Sequence, residues 1–405
     1  MKLSIGPGAL VAAAFIGPGT VTACTLAGAN FGFALIWTLV FATFATMILQ
    51  GMAARLGVAG RLGLGEAMMA STDSPVLKYL AGSLVLAAIL VGNSAYEAGN
   101  LAGGALGLDA LFGGSSGTPT TAHTLLIAGL AAAALATGHY KTLERILIGL
   151  VLLMSAAFAA SFVLVRPDLS DLVTGLVPSI PTGGLLTAVA LIGTTIVPYN
   201  LFLHAASSQR RWTEVTPGAV AEARADTRLS IGLGGLISLF ILSTAAATLF
   251  ESGLQVSSAA EMAVALEPIS GAGAKQIIGV GLASAGLTSA ITAPMATGYA
   301  VSEIMGRGKE GQSSVFRMAA ILVLCLGLAG AISGIRPTEL ILFAQAANGL
   351  LLPIIAIVLL MAMNRNDLLG DYTNSRSENV LGAGVVAICF LLGGRLILRT
   401  LGLWP

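Results

Sequence analysis

Two apolar stretches of this chain are interrupted in the same way. The first carries Ile16-Gly17-Pro18-Gly19-Thr20; the second, 180 positions later, carries Ile196-Val197-Pro198-Tyr199-Asn200. Both read Ile-x-Pro-x followed by a small polar residue, with helix-forming apolar sequence on either side. Proline lacks a backbone donor and its ring clashes with the preceding turn, so a helix opens where it sits in the interior. In hydrocarbon, opened backbone is tolerated only where it is buried in protein or lines a cavity. Matched breaks in the two halves of a chain therefore predict a central binding site between them.

The chain has the composition of a polytopic membrane protein. Hydrophobic residues make up 56% of it and charged residues 10%, against about 25% charged in soluble domains. The net charge of +1 implies no nucleic-acid partner. Cys24, Cys325 and Cys389 stand in apolar runs without paired spacing, so neither a disulfide framework nor a cysteine metal site is expected. Lys2 followed by an apolar run superficially resembles a signal peptide. The run continues through Pro18 into Thr20 to Phe31, and cleavage would remove half of the first motif, so it is expected to stay.

Eleven spans are predicted, each of about 18–28 residues, the length a helix needs to cross the bilayer. Their limits are 5–29, 31–54, 76–105, 121–138, 142–166, 183–208, 227–250, 274–304, 316–333, 338–363 and 379–400. Gly113 to Thr121 reads as a loop. With the N-terminus in the cytoplasm, 15 of the 20 Lys and Arg fall on the cytoplasmic side and 5 on the other, which predicts a multi-pass inner (plasma) membrane protein with its C-terminus outside. Breaks in spans 1 and 6 fit a five-plus-five inverted repeat over about 5–166 and 183–363, with span 11 (379–400) added, in a single transmembrane domain covering 1–405. Many of the 51 glycines, Gly99, Gly103, Gly104 and Gly107 among them, lie inside spans, where small residues let helices approach closely.

Acidic residues mark loops and span ends, with Glu97 in span 3 as the exception; an ionisable group at that depth points to an ion or proton path. His204 in span 6 is a second titratable candidate, whereas His123 and His139 sit at span ends. Gln345 and Asn348, three apart on span 10, share a helix face and can coordinate a cation or bond across helices. Tyr199 and Asn200 fill the second break, and Thr20 and Asn200 can also serve as N-caps of the restarting half-helices.

These residues carry a resemblance. Gly17-Pro18-Gly19-Thr20 stands where the NRAMP family of divalent metal transporters has Asp-Pro-Gly-Asn, and Val197-Pro198-Tyr199-Asn200-Leu201-Phe202-Leu203-His204 stands where it has Met-Pro-His-Asn-Leu-Tyr-Leu-His. Gly28-Ala29-Asn30-Phe31-Gly32-Phe33, Leu49 to Gly57, Ser284 to Ser289 and Ala344 to Asn348 are similar to other family stretches, so the likeness runs nearly the full length. It implies an all-α membrane protein of the LeuT type, with eleven spans and discontinuous helices 1 and 6. It also implies that the positions of the family's metal ligands are substituted. Gly17 replaces the Asp, Thr20 the Asn and Val197 the Met, while Gln345 and backbone carbonyls remain. In span 3 the family's Asp-x-x-Glu pair aligns with Glu97 and Asn100, so one acid is kept and one is lost.

The chemistry of these substitutions leaves the substrate open. A thioether selects soft transition metals, and a dehydrated divalent cation needs carboxylate oxygens. A site of carbonyls, Gly17, Gly19, Thr20, Val197, Tyr199, Asn200, Gln345 and Asn348 therefore suits a partly hydrated cation held at low affinity. Alternatively, the restarting half-helices present positive dipole ends to a small anion or zwitterion, with Glu97, Asn100 and His204 as proton-coupling candidates. A non-transporting receptor or scaffold is the third reading. An enzyme is not expected, since no nucleophile and base converge. No cofactor is expected; the expected partners are a small ion or solute, the lipid bilayer and protons, and the expected state is a monomer.

Overall fold

A computed structural model of the protein describes residues 6–8, 11, 16–71, 74–112, 121–137, 141–250, 252–253, 256–307 and 313–403. Among these residues the secondary structure is helical, with no strand. The principal helices are α1 (Pro18–Phe31), α2 (Ile36–Arg55), α3 (Pro75–Phe112), α4 (Thr121–Thr137), α5 (Lys141–Val165), α6 (Leu185–Thr195), α7 (Pro198–Arg211), α8 (Pro217–Ala245), α9 (Ala274–Ile304), α10 (Ser314–Ala331), α11 (Pro337–Met363) and α12 (Arg376–Thr400). Nine helical segments among the described residues are long and apolar enough to cross a membrane, and Thr121–Thr137 is a shorter apolar helix. The first span is represented by the break at Ile16 and Gly17 and by α1; most of what precedes it, His139, and the predicted loop at 113–120 lie outside the described residues. Thr121 opens α4 and is not part of a loop.

The packing follows the predicted repeat. Span 3 lies along span 8 (α3 with α9), and span 2 along span 7 (α2 with α8). Several further contacts come in pairs that exchange under a shift of five spans: α3 with α10 and α9 with α4, α3 with α11 and α9 with α5, α1 with α8 and α7 with α2. Contacts that pair off in this way are what two copies of one five-helix unit produce when they are interlocked.

Glycines set the helix spacing. A methyl on Gly193 of α6 would come within 1.9 Å of the Gln345 carbonyl oxygen on α11, and one on Gly286 of α9 within 2.4 Å of Gly104 Cα on α3. A methyl on Gly103 would come within 2.2 Å of Pro18 Cβ, so α3 can pass the first break only because that position is bare. The outward faces are apolar, with Leu152, Leu153, Phe390 and Leu391 among the exposed side chains, as a lipid-facing surface requires.

Two acidic residues besides Glu97 turn out to be buried in helices. α3 runs past the predicted span end to Phe112, so Asp109 is helical and only 8% exposed, where it meets His123 of α4. Glu303 is buried in the last turn of α9 and accepts a hydrogen bond from Gly65 N–H at 2.9 Å.

Replacing Gly193 with Ala sets a methyl against backbone that cannot give way, and destabilisation of about 1–3 kcal/mol or more is expected. Gly129 of α4 has no atom within 4 Å of an added methyl, and Gly129→Ala is expected to be neutral or slightly stabilising. Thermal unfolding of the detergent-solubilised variants checks both; equal melting temperatures would contradict the α6–α11 contact.

Candidate functional site

Both breaks are built the same way. Gly17 is the N-cap of α1 in extended backbone (φ −96°, ψ −175°), with Pro18 as the first helical residue. Val197 is the N-cap of α7 (φ −79°, ψ 119°), with Pro198 first. Proline suits this position because its missing N–H falls where a helix has no internal acceptor. Neither N-cap makes a side-chain capping bond. Thr20 and Asn200 are thus the third helical residues of α1 and α7, not N-caps as the sequence allows; the N–H of each points back to the N-cap carbonyl, at 3.1 Å in both cases. Upstream of the second break α6 ends at Thr195, because Pro198 has no donor for the Thr194 carbonyl. Thr46 of α2 donates to the Thr195 carbonyl at 3.3 Å.

Side chains join the two breaks. The Thr20 and Thr194 hydroxyls are 2.8 Å apart. The Gln345 amide lies directly on Gly19, so that a methyl there would be 2.1 Å from Nε2. Above Gly17 an added methyl would meet Ser289 Oγ at 2.9 Å and Tyr96 Oη at 3.7 Å. The Tyr96 and Tyr199 rings meet edge to face with centroids 5.4 Å apart. Asn348 borders a narrow crevice with Pro198, Gly92 and Asn93, and Asn93 is anchored to Thr297 Oγ1 at 2.6 Å.

Thr20, Val197, Tyr199, Asn200, Gln345 and Asn348 are all essentially without solvent exposure. Both amide atoms of Asn200, both of Gln345, Asn348 Nδ2 and Ser289 Oγ have no hydrogen-bond partner. Buried polar atoms left unpaired cost about 1–3 kcal/mol each, and their convergence on opened backbone fits a place that a polar ligand fills. Among the described residues no group of three or more His, Cys, Asp or Glu could hold a metal ion.

The coupling candidates bond to other side chains. Glu97 and Asn100 hydrogen-bond to each other at 3.2 Å, and the Glu97 side chain lies against Gly327 of α10. His204 is buried further along α7, with Nδ1 2.9 Å from Gln50 Oε1 of α2. Ser289, Tyr96 and Thr194 also border the breaks; in the sequence Ser289 lies only within a family-like stretch, Tyr96 only beside Glu97, and Thr194 only in a Thr-Thr pair ahead of the second break.

The family model described as natural resistance-associated macrophage protein-like matches residues 8–399. The chain belongs to this family. A curated relative, the divalent metal cation transporter MntH of Yersinia pestis, is 26% identical over 408 residues, spanning 99% of this chain and 96% of its own. A crystal structure of the Eremococcus coleocola manganese transporter matches at TM-score 0.76 and 25% identity, covering 96% of this chain and 84% of that one. The closed form of Mhp1, a nucleobase-cation-symport-1 family transporter, shares the fold at TM-score 0.61 and 15% identity, with 98% and 93% covered. The protein therefore has the all-α LeuT-type membrane fold with discontinuous spans 1 and 6.

Within this family member the first break is open to re-engineering. At Gly17 the Cβ of an introduced side chain meets Ser289 Oγ at 2.9 Å, and that hydroxyl can turn to donate to an introduced carboxylate. Gly17→Asp combined with Val197→Met supplies a carboxylate and a thioether to the double break. Calorimetry is expected to show Mn²⁺ binding tightened by roughly tenfold or more over the wild type, since ligand charge sets affinity and the thioether favours a softer ion. A folded double variant with no Mn²⁺ heat would mean that positions 17 and 197 do not face one site.

Proposed function

We propose that this protein is an alternating-access secondary transporter that moves a small divalent cation, still carrying part of its water shell, through a low-affinity site at the double break. The observation that carries the reading is the donor set: buried, unpaired amide and hydroxyl groups of Asn200, Gln345, Asn348 and Ser289, with neither carboxylate nor thioether at positions 17 and 197. Neutral oxygens replace the full hydration shell of a divalent ion poorly, but they accept hydrogen bonds from water that the ion retains. Hard cations such as Mg²⁺ dehydrate reluctantly and keep several waters when bound. Without a thioether, nothing in the site favours the softer Mn²⁺ or Fe²⁺ over such an ion. Membership of a family whose relatives are named divalent metal cation transporters supports a cation as cargo.

A second reading is a small anion or zwitterion, favoured by two helix N-termini that open into the site with no acidic side chain beside them. We place the N-terminus in the cytoplasm on the distribution of Lys and Arg, with an inner-membrane location and a monomeric unit.

Purified protein in proteoliposomes is expected to take up Mg²⁺ and Mn²⁺ at comparable rates, with half-saturation on the order of 1 mM. Gln345→Ala is expected to reduce uptake of both. Uptake of a small anion or amino acid with no cation flux would establish the second reading in place of the first, and no flux of any solute would leave a receptor or scaffold.

A further inference from the structure

Glu97 and Asn100 lie one turn apart on α3, 0% and 1% exposed. Asn100 Nδ2 donates to Glu97 Oε2 at 3.2 Å. The second oxygen of each group, Glu97 Oε1 and Asn100 Oδ1, is buried without a partner. One proton carried on Oε1 and donated to Oδ1 satisfies both oxygens together. The two side chains then exchange reciprocal hydrogen bonds, acid O–H to amide carbonyl and amide N–H to acid carbonyl.

Among the described residues, nothing packed around Glu97 would keep the carboxylate ionised. Glu97 is packed so tightly on α10 that a methyl on Gly327 would be 2.4 Å from its Cγ, and Gly330 receives the neighbouring Ala98 in the same way. The helices that pack on α3 carry their charges toward their ends: Lys275 and Glu303 on α9, Arg317 on α10, Glu339 on α11, Arg210 and Arg211 on α7. His123 at the start of α4 is engaged with Asp109, His204 of α7 with Gln50, and Glu261 of the short helix Ala259–Ala263 with Ser257 and Ser258. Lys78 and Asp109 sit at the two ends of α3 itself, and Glu66 lies in the short helix before it. The uncharged Tyr96 next to Glu97 faces Tyr199. A buried carboxylate without a cation is stable only as the neutral acid. From Arg317 to Ala331 the facing helix has no side chain that relays a proton apart from Cys325, which is exposed.

We propose that Glu97 and Asn100 form a standing neutral acid–amide pair within α3, packed against α10, and that substrate movement is not linked to a proton carried by Glu97. The second half of this statement rests on the transport reading above; the first half does not.

Infrared difference spectroscopy of wild type minus Glu97→Gln, in lipid nanodiscs, tests the pair. A protonated carboxylic C=O band is expected, unchanged from mildly acidic to mildly alkaline pH. Asn100→Leu is expected to move that band to higher frequency, because the acid loses its acceptor. A band that fades as pH rises through neutrality, or no band, overturns the pair. If Glu97→Gln does not fold, the Asn100→Leu shift decides alone, and an unmoved band overturns it.

In proteoliposomes Glu97→Gln is expected to take up Mg²⁺ within about twofold of wild type, since a glutamine amide makes the same two reciprocal bonds. Its pH profile is expected to match that of wild type, and a lumenal pH dye is expected to show no acidification during uptake. Loss of uptake in this variant, or proton entry in step with Mg²⁺ in wild type, overturns the absence of linkage. If wild type moves no cation, the transport reading fails while the infrared result still decides the pair.

Discussion

Everything in this molecule is arranged around backbone that two prolines have opened where no water is available to pair it. Pro18 and Pro198 remove donors from spans 1 and 6, and hydrocarbon offers none in return. The protein's answer is close enclosure. Gly103 lets α3 reach Pro18, Gly193 lets α6 lie against the α11 backbone, and Thr46 donates to the carbonyl at the end of α6. The Thr20–Thr194 contact ties one break to the other. Spans 3, 8 and 10 wall the opened segments, through Gly103 against Pro18, Ser289 over Gly17 and Gln345 on Gly19.

Inside that enclosure the chemistry is neutral. The break that would offer a carboxylate offers a bare Gly17 with Ser289 and Tyr96 over it, and the amide of Gln345 covers Gly19. A neutral lining lowers the cost of closing the site around nothing, since no fixed charge is stranded without its counter-ion. It also weakens the hold on a fully dehydrated ion. In the proposed cation reading, low affinity and relaxed selectivity would be two results of one substitution pattern, not separate properties.

At the end of the molecule richest in Lys and Arg, polar contacts join segments far apart in the sequence. Arg55 at the end of α2 pairs with Glu378 of α12 at 2.7 Å. Arg210 of α7 donates to Tyr299 Oη of α9 at 2.7 Å, with its guanidinium 4.5 Å from the ring centroid. Glu303 receives Gly65 N–H. Each is a polar contact near a helix terminus, which can part without unpacking the apolar core.

The sequence by itself determined the membrane class, the position of both breaks, the helical plan and the family, because proline chemistry and apolar length act locally and leave a mark on each segment. It also identified Gln345, Asn200 and Thr20 as residues near the opened backbone. It misjudged what is governed by distance in space. Asp109 belongs to a helix because α3 continues to meet α4, and Thr20 is not a cap because Gly17 takes that place. Ser289 and Thr194 border the site only because α9 and α6 cross there. Glu97, the most conspicuous residue in the sequence, meets Gly327 of α10, a contact that only the fold brings about. Which face of a long apolar helix meets which neighbour is set by the fit of side chains against bare glycines on another helix, and that fit exists only in the folded bundle.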